Sequence, residues 1–141
     1  MAEQMKIEIV TPERVVFQDT VNAAVLPGAK GYLGILSDHA PMVVALKPGV
    51  LKYKAGGTYR RIAVSGGFAA VSNNVITVLA DTAERAEEID LSRARSSAER
   101  ARRRLKEKAA GVDDARAQAS LQRAVARIRA AGEGHQHSHE V

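Results

Sequence analysis

All four prolines of this 141-residue chain lie at or before position 48. From Asp90 onward there is none, and Ala and Arg dominate. Proline breaks a helix interior by removing a donor and clashing with the preceding turn. Its absence, with Ala the best helix former, marks the last third of the chain as helical and leaves the rest for something else. The first part carries short apolar runs of strand type. Lys6-Ile7-Glu8-Ile9-Val10 alternates, and Thr11-Pro12-Glu13-Arg14 breaks it. Val15-Val16-Phe17 follows, then 21–26, 31–36, 42–46, 50–54, 59–64, 68–71 and 75–79. Turn chemistry separates them: Pro27-Gly28-Ala29-Lys30-Gly31, Lys47-Pro48-Gly49, Ala55-Gly56-Gly57, Ser65-Gly66-Gly67 and Ser72-Asn73-Asn74. Many short strands at this spacing predict a β-sandwich or barrel.

The helical part reads as two pieces. Asp90 is a good N-cap, and Leu91, Ala94, Ala98, Ala101 and Leu105 form one apolar stripe. Gly111 interrupts it, and Asp113-Asp114 can start a second helix with the stripe Ala117, Leu121, Ala124, Ile128 and Ala131. A short break predicts an antiparallel hairpin, and an Ala-rich seam allows close approach while burying little area. The expected class is therefore α+β: an antiparallel β-sandwich over residues 1–87, a two-helix hairpin over 88–131, and a disordered polar tail over 132–141. Glu87-Glu88 falls in the linker.

Charge is concentrated in the hairpin. Residues 1–87 carry a net +1, residues 88–130 a net +6, and the last eleven a net −2. That asymmetry points to an anionic partner: a nucleotide, a nucleic acid or an acidic protein face. On a helical wheel Asp90, Arg93, Ser97, Arg100 and Arg104 fall in one band of the first helix. Arg116, Arg123 and Arg127 lie within about 40° of one another on the second. Each band is offset about 100° from its own apolar stripe in the same sense, so antiparallel packing brings both to one edge of the seam. Several guanidinium forks on one edge suit phosphate. Arginine is also ordinary solvated surface on exposed helices, and the residues alone leave both readings open.

Other chemistry is largely excluded. There is no Cys, hence no disulfide or thiolate metal site. No apolar run reaches the roughly 18 residues of a membrane span, and MAEQMKIEIV does not read as a secretory leader, so a soluble cytoplasmic protein is expected. No nucleophile–base pair, Gly-rich phosphate loop or nucleophile elbow is present, and the Ser65-Gly66-Gly67 glycines suit a tight turn or bulge. His135, His137 and His139 alternate in the tail, a weak metal set at best. The hairpin lacks the aromatics that stack on bases, which leaves a basic nucleic-acid-associated protein as the alternative.

Ile89-Asp90-Leu91-Ser92-Arg93-Ala94 resembles the I/L-D-x-x-R-A nucleotide-binding motif of the epsilon subunit of bacterial F-type ATP synthases. Thr11-Pro12, Gly31-Tyr32-Leu33-Gly34-Ile35-Leu36, His39-Ala40-Pro41, Ala63-Val64-Ser65-Gly66-Gly67-Phe68 and Ala83-Glu84-Arg85-Ala86-Glu87 resemble that family in order, over residues 6–130. The resemblance implies a sandwich of about ten strands that binds the gamma subunit and the membrane c-ring. It implies a non-catalytic rotor subunit of a proton-translocating enzyme, peripheral on the cytoplasmic face of the cell membrane. Its hairpin would switch between a compact form and one extended into the alpha/beta catalytic hexamer that inhibits ATP hydrolysis. In some members ATP binds the compact form. The motif carries over Ile89, Asp90, Arg93 and Ala94, and the family's further ligands map onto Glu84, Arg100, Arg116, Arg123 and Arg127. Whether Mg²⁺ accompanies ATP is open, since no carboxylate cluster suggests a metal cage. Tyr32 and His39, in the loop 30–39, are the implied c-ring surface, although position 32 is acidic in many relatives.

Overall fold

The structure is a computed structural model that describes residues 4–107 and 114–132. Alternation builds the first layer. In β1 (Met5–Val10) Met5, Ile7 and Ile9 are buried while Lys6 and Glu8 face out. β2 (Val15–Val21) pairs with β1 antiparallel, and β7 (Val75–Ala80) pairs with its other edge in parallel. β3 (Ala23–Gly28) and β4 (Gly31–Leu36) form a hairpin closed by Ala29 and Lys30. The apolar run 21–26 is therefore divided at Asn22, with Val21 ending one strand and Ala23 opening the next.

The long strands β5 (Met42–Ala55) and β6 (Thr58–Ser72) depart from the sequence expectation. Lys47-Pro48-Gly49 and Ser65-Gly66-Gly67 were expected to be turns, yet each lies inside a continuous strand. They face each other across the ladder, between the pairs Leu46↔Gly67 and Pro48↔Ser65. Both strands bend there and pass from one layer to the other, the way corners of a sandwich are made. Gly67 has φ +118°, and a Cβ on it would sit 2.0 Å from the Leu79 carbonyl oxygen, so the bend admits only glycine. The strand order is β2-β1-β7-β6-β5-β3-β4, with β8 (Ala83–Arg85) added to β6. Eight strands are present among the described residues, where the resemblance implies about ten; β5 and β6 are each one continuous strand.

Between the layers lies a core of Ile7, Ile9, Leu26, Ile35, Leu51, Ile62, Val64, Ile76 and Val78. Phe17 of β2 meets Tyr53 of β5 with ring centroids 4.8 Å apart, and the Arg85 guanidinium lies over the Phe17 ring. Ala86–Glu88 forms a 3-10 turn leading into α1 (Leu91–Glu107). The Arg93 amide donates to Asp90 Oδ1 at 3.1 Å, the expected N-cap. The break at Gly111 and residues 133–141 of the expected tail lie outside the described residues; α2 (Asp114–Gly132) begins at Asp114 and takes in Gly132, which was expected to open the tail.

Ala94, Ala98 and Ala101 of α1 and Ala117 and Ala124 of α2 are buried where the helices pack. The second stripe is only partly as expected. Ala126 and Ala130 are buried, whereas Leu121, Ile128 and Ala131 are half-exposed. The reason is that α2 packs on two neighbours, α1 and the bent strands β5 and β6, so its buried surface wraps farther round the helix. Ala130 closes onto Val50 and Ala63, with Ile89 beside them.

Candidate functional site

The edge of the hairpin that carries the arginines borders the sandwich, with Arg93, Arg100, Arg104 and Arg123 exposed and Arg127 half-buried. It faces β6 and β8, and a cleft of about 630 Å³ lies between. Ala63, Val64 and Ser65 of β6, with Thr82 and Glu84, form its sandwich side. Ser97, Arg100, Ala101 and Arg104 come from α1, and Ser120, Arg123, Ala124 and Arg127 from α2. Its size is ordinary for a small-molecule site. Four guanidinium groups face one carboxylate among the lining residues, so it is strongly cationic. A second cleft of about 470 Å³ adjoins it toward the start of α1, sharing Ser97, Arg100 and Arg127 and adding Ser92, Arg93 and Ser96.

An ion pair crosses from hairpin to sandwich. Arg127 Nε donates to Glu84 Oε1 at 2.7 Å and Nη2 to Oε2 at 3.4 Å, a two-pronged contact with both side chains about two-thirds covered. Arg100 Nη2 donates to Ser97 Oγ, and Arg123 Nη2 to Ser120 Oγ. Thr82 donates to Ser65 Oγ on the cleft floor.

The structure thus brings Glu84, Arg100, Arg123 and Arg127 together, with Arg93 in the adjoining cleft. Asp90 caps α1 just before it. Ile89 packs in the docking cluster, and Ala94 is fully buried in the helix seam, so both shape the backbone around the site. Arg116 is not among the lining residues of either cleft; it lies a helical turn beyond Ser120 toward the start of α2. Ser65, Thr82 and Ser120 were not anticipated. Ser120 carries a readable signal, three residues before Arg123, but Ser65 and Thr82 become neighbours of the arginines only when the hairpin folds back.

Residues 4–86 match the model of the ATP synthase delta/epsilon chain β-sandwich domain, and residues 87–132 that of its long α-helix domain. The chain belongs to the ATP synthase delta/epsilon chain family. It is similar to the ATP synthase epsilon chain of Carboxydothermus hydrogenoformans, at 55% identity over 94% of this chain and 99% of that one. The epsilon chain of Symbiobacterium thermophilum is 53% identical over 91% and 93%. A chain in the Euglena gracilis mitochondrial ATP synthase structure of OSCP, F1 and c-ring matches with a TM-score of 0.78 and 25% identity, over 90% of this chain and 80% of that one. The boundary between the two family domains falls after Ala86, inside the 3-10 turn that joins sandwich to hairpin.

Tyr32 lies on β4 and His39 between β4 and β5. Tyr32 is about half exposed; its hydroxyl accepts from the Val50 amide at 3.3 Å, and Lys47 sits 5.6 Å from the ring centroid. It therefore props the bend of β5. His39 is half-exposed, with Nδ1 2.7 Å from the Ala40 carbonyl oxygen. A further surface escaped notice in the sequence. Phe68 pairs with Leu79, Leu79 with Val10 and Val10 with Val15, forming one apolar row across four strands. Val15, Phe68 and Leu79 are each more than half exposed. Exposed apolar surface of this kind is common where proteins contact one another. Among the described residues no helix is long and apolar enough to cross a membrane, and no group of three or more His, Cys, Asp or Glu gathers as a metal site.

Proposed function

We propose that this chain is a non-catalytic central-stalk subunit of a proton-translocating F-type ATP synthase, whose hairpin senses ATP. The family membership supports the subunit assignment. The observation that carries the sensing role is the cleft itself, which takes its walls from the sandwich and from both helices. A ligand held there binds the docked hairpin and loses most of its contacts when the hairpin leaves. Such differential affinity is what shifts a two-state equilibrium. Glu84, Asp90 and Arg93 would serve the adenosine end, and Arg100, Arg123 and Arg127 the phosphates. No lining group is placed as a general base, so the nucleotide is read and not hydrolysed. With ATP scarce, the hairpin extends along the gamma subunit toward the alpha/beta hexamer and blocks ATP hydrolysis.

The exposed apolar row of β6, β7, β1 and β2 supports attachment to a stalk partner, for which gamma is the proposed occupant, while the segment 30–39, which the structure forms as β4 and the residues after it, is left for the c-ring. The complex would hold the chain peripherally at the cytoplasmic face of the membrane. The nucleic-acid alternative is disfavoured by the hairpin's lack of aromatic side chains to stack on bases. Calorimetry of the full chain with ATP tests the sensing role. Saturable binding is expected, weakened at least tenfold by Arg123→Ala, and no binding at millimolar ATP would reject it. Mg²⁺ included or removed in the same titration settles whether the metal-free or the metal-bound nucleotide is preferred.

A further inference from the structure

Arg100 and Arg123 lie on different helices, yet each has the same neighbour. Arg100 Nη2 donates to Ser97 Oγ at 3.1 Å, and Arg123 Nη2 donates to Ser120 Oγ at 3.1 Å. Residues three apart share a helix face, so each serine stands one turn behind its arginine and beside it. Both serines are half-buried and line the same cleft. The other two cleft arginines lack this device, for three residues before Arg104 and Arg127 stand Ala101 and Ala124. Arg127 is held by Glu84 instead.

The chemistry of the tether matters. A free arginine samples many rotamers, and a ligand must bear the cost of ordering it. A carboxylate neighbour would order it too, but would also cancel the charge that attracts phosphate. A serine hydroxyl accepts one of the five guanidinium N–H bonds and leaves the charge whole, with four donors free. The antiparallel hairpin then sets one such tethered fork on each wall of the cleft.

We infer that Ser97 and Ser120 are positioning residues that pre-orient the Arg100 and Arg123 forks for a polyphosphate in the cleft; this rests on the ATP reading above. Neither serine belongs to the ligand set that the family resemblance implies. The test is ATP titration calorimetry on the full chain. Ser97→Ala and Ser120→Ala are each expected to weaken binding about tenfold, or roughly 1.4 kcal/mol. Ser97→Thr and Ser120→Thr keep the hydroxyl and are expected to bind within about twofold of the parent. In an Arg100→Ala background, Ser97→Ala is expected to add no further loss, because its partner is already gone. Alanine favours helix, so the fold of both variants is retained, and an unchanged melting temperature without ATP checks it. Unaltered affinity in both alanine variants, threonine variants as weak as alanine, or a full additional loss in the Arg100→Ala background would each overturn the inference while leaving the ATP site standing. A parent chain that binds no ATP would overturn both.

Discussion

Arg127 and Glu84 are 43 residues apart in sequence and form a charge contact that joins hairpin to sandwich. Partly solvated pairs contribute about 1 kcal/mol or less. The pair therefore orients the docked hairpin more than it fastens it. Tyr53 is a second residue with a measurable signature. It is almost fully buried against Phe17, and burial pushes its phenol above the ordinary value of about 10, with Asp19 and Glu87 adding to the effect and Arg60 and Arg85 opposing it. A phenol whose folded value is raised holds its proton more tightly in the folded state. The contribution is complete below the unfolded value and is lost as pH rises through the folded one. Urea unfolding at pH 8 and pH 11 is expected to show a smaller alkaline loss of stability in Tyr53→Phe than in the parent chain.

At the scale of elements, the sandwich depends on two strands that turn a corner. Gly67→Ala places a Cβ against the Leu79 carbonyl and forces an unfavourable φ, so a loss of roughly 3 kcal/mol or more is expected in chemical denaturation. The same corner explains what the sequence reading missed. Lys47-Pro48-Gly49 and Ser65-Gly66-Gly67 have the composition of turns, and local chemistry does not distinguish a chain reversal from a bend within a strand. The distinction comes from the opposite strand: each bend persists because the other one faces it in register. Helix elements were more legible. The alanine positions at helical spacing and Asp90 as a cap reflect interactions within a few residues, and α1 follows both. The α2 stripe was less so, because Ala126 and Ala130 are buried by strands distant in sequence.

At the scale of the molecule, two surfaces divide the work. The arginine cleft faces inward between hairpin and sandwich, and the apolar row of Val15, Val10, Leu79 and Phe68 faces outward. Phe68 is 58% exposed, so Phe68→Asp is expected to leave unfolding stability within about 0.5 kcal/mol. If the row docks on the stalk, the same change weakens association with the gamma subunit by at least tenfold in a binding assay. Unaltered association would move that contact elsewhere on the sandwich.

Sequence by itself determined the division into a strand-rich part and a proline-free helical part, the cap at Asp90, and the gathering of arginines on one edge of a hairpin, since helical geometry relates residues three and four apart without reference to anything else. It also carried the motifs by which the family is recognised. Tertiary structure decided what that edge faces. The helical wheel allowed open solvent or a partner equally, and the docking of α2 on β5 and β6 turned the edge toward Glu84, Ser65 and Thr82. It likewise decided that Val10, Val15, Phe68 and Leu79 share one face, because strand register is set between strands and leaves no mark on any single run. Long-range pairing converts a basic stripe into a cleft and scattered apolar residues into a surface.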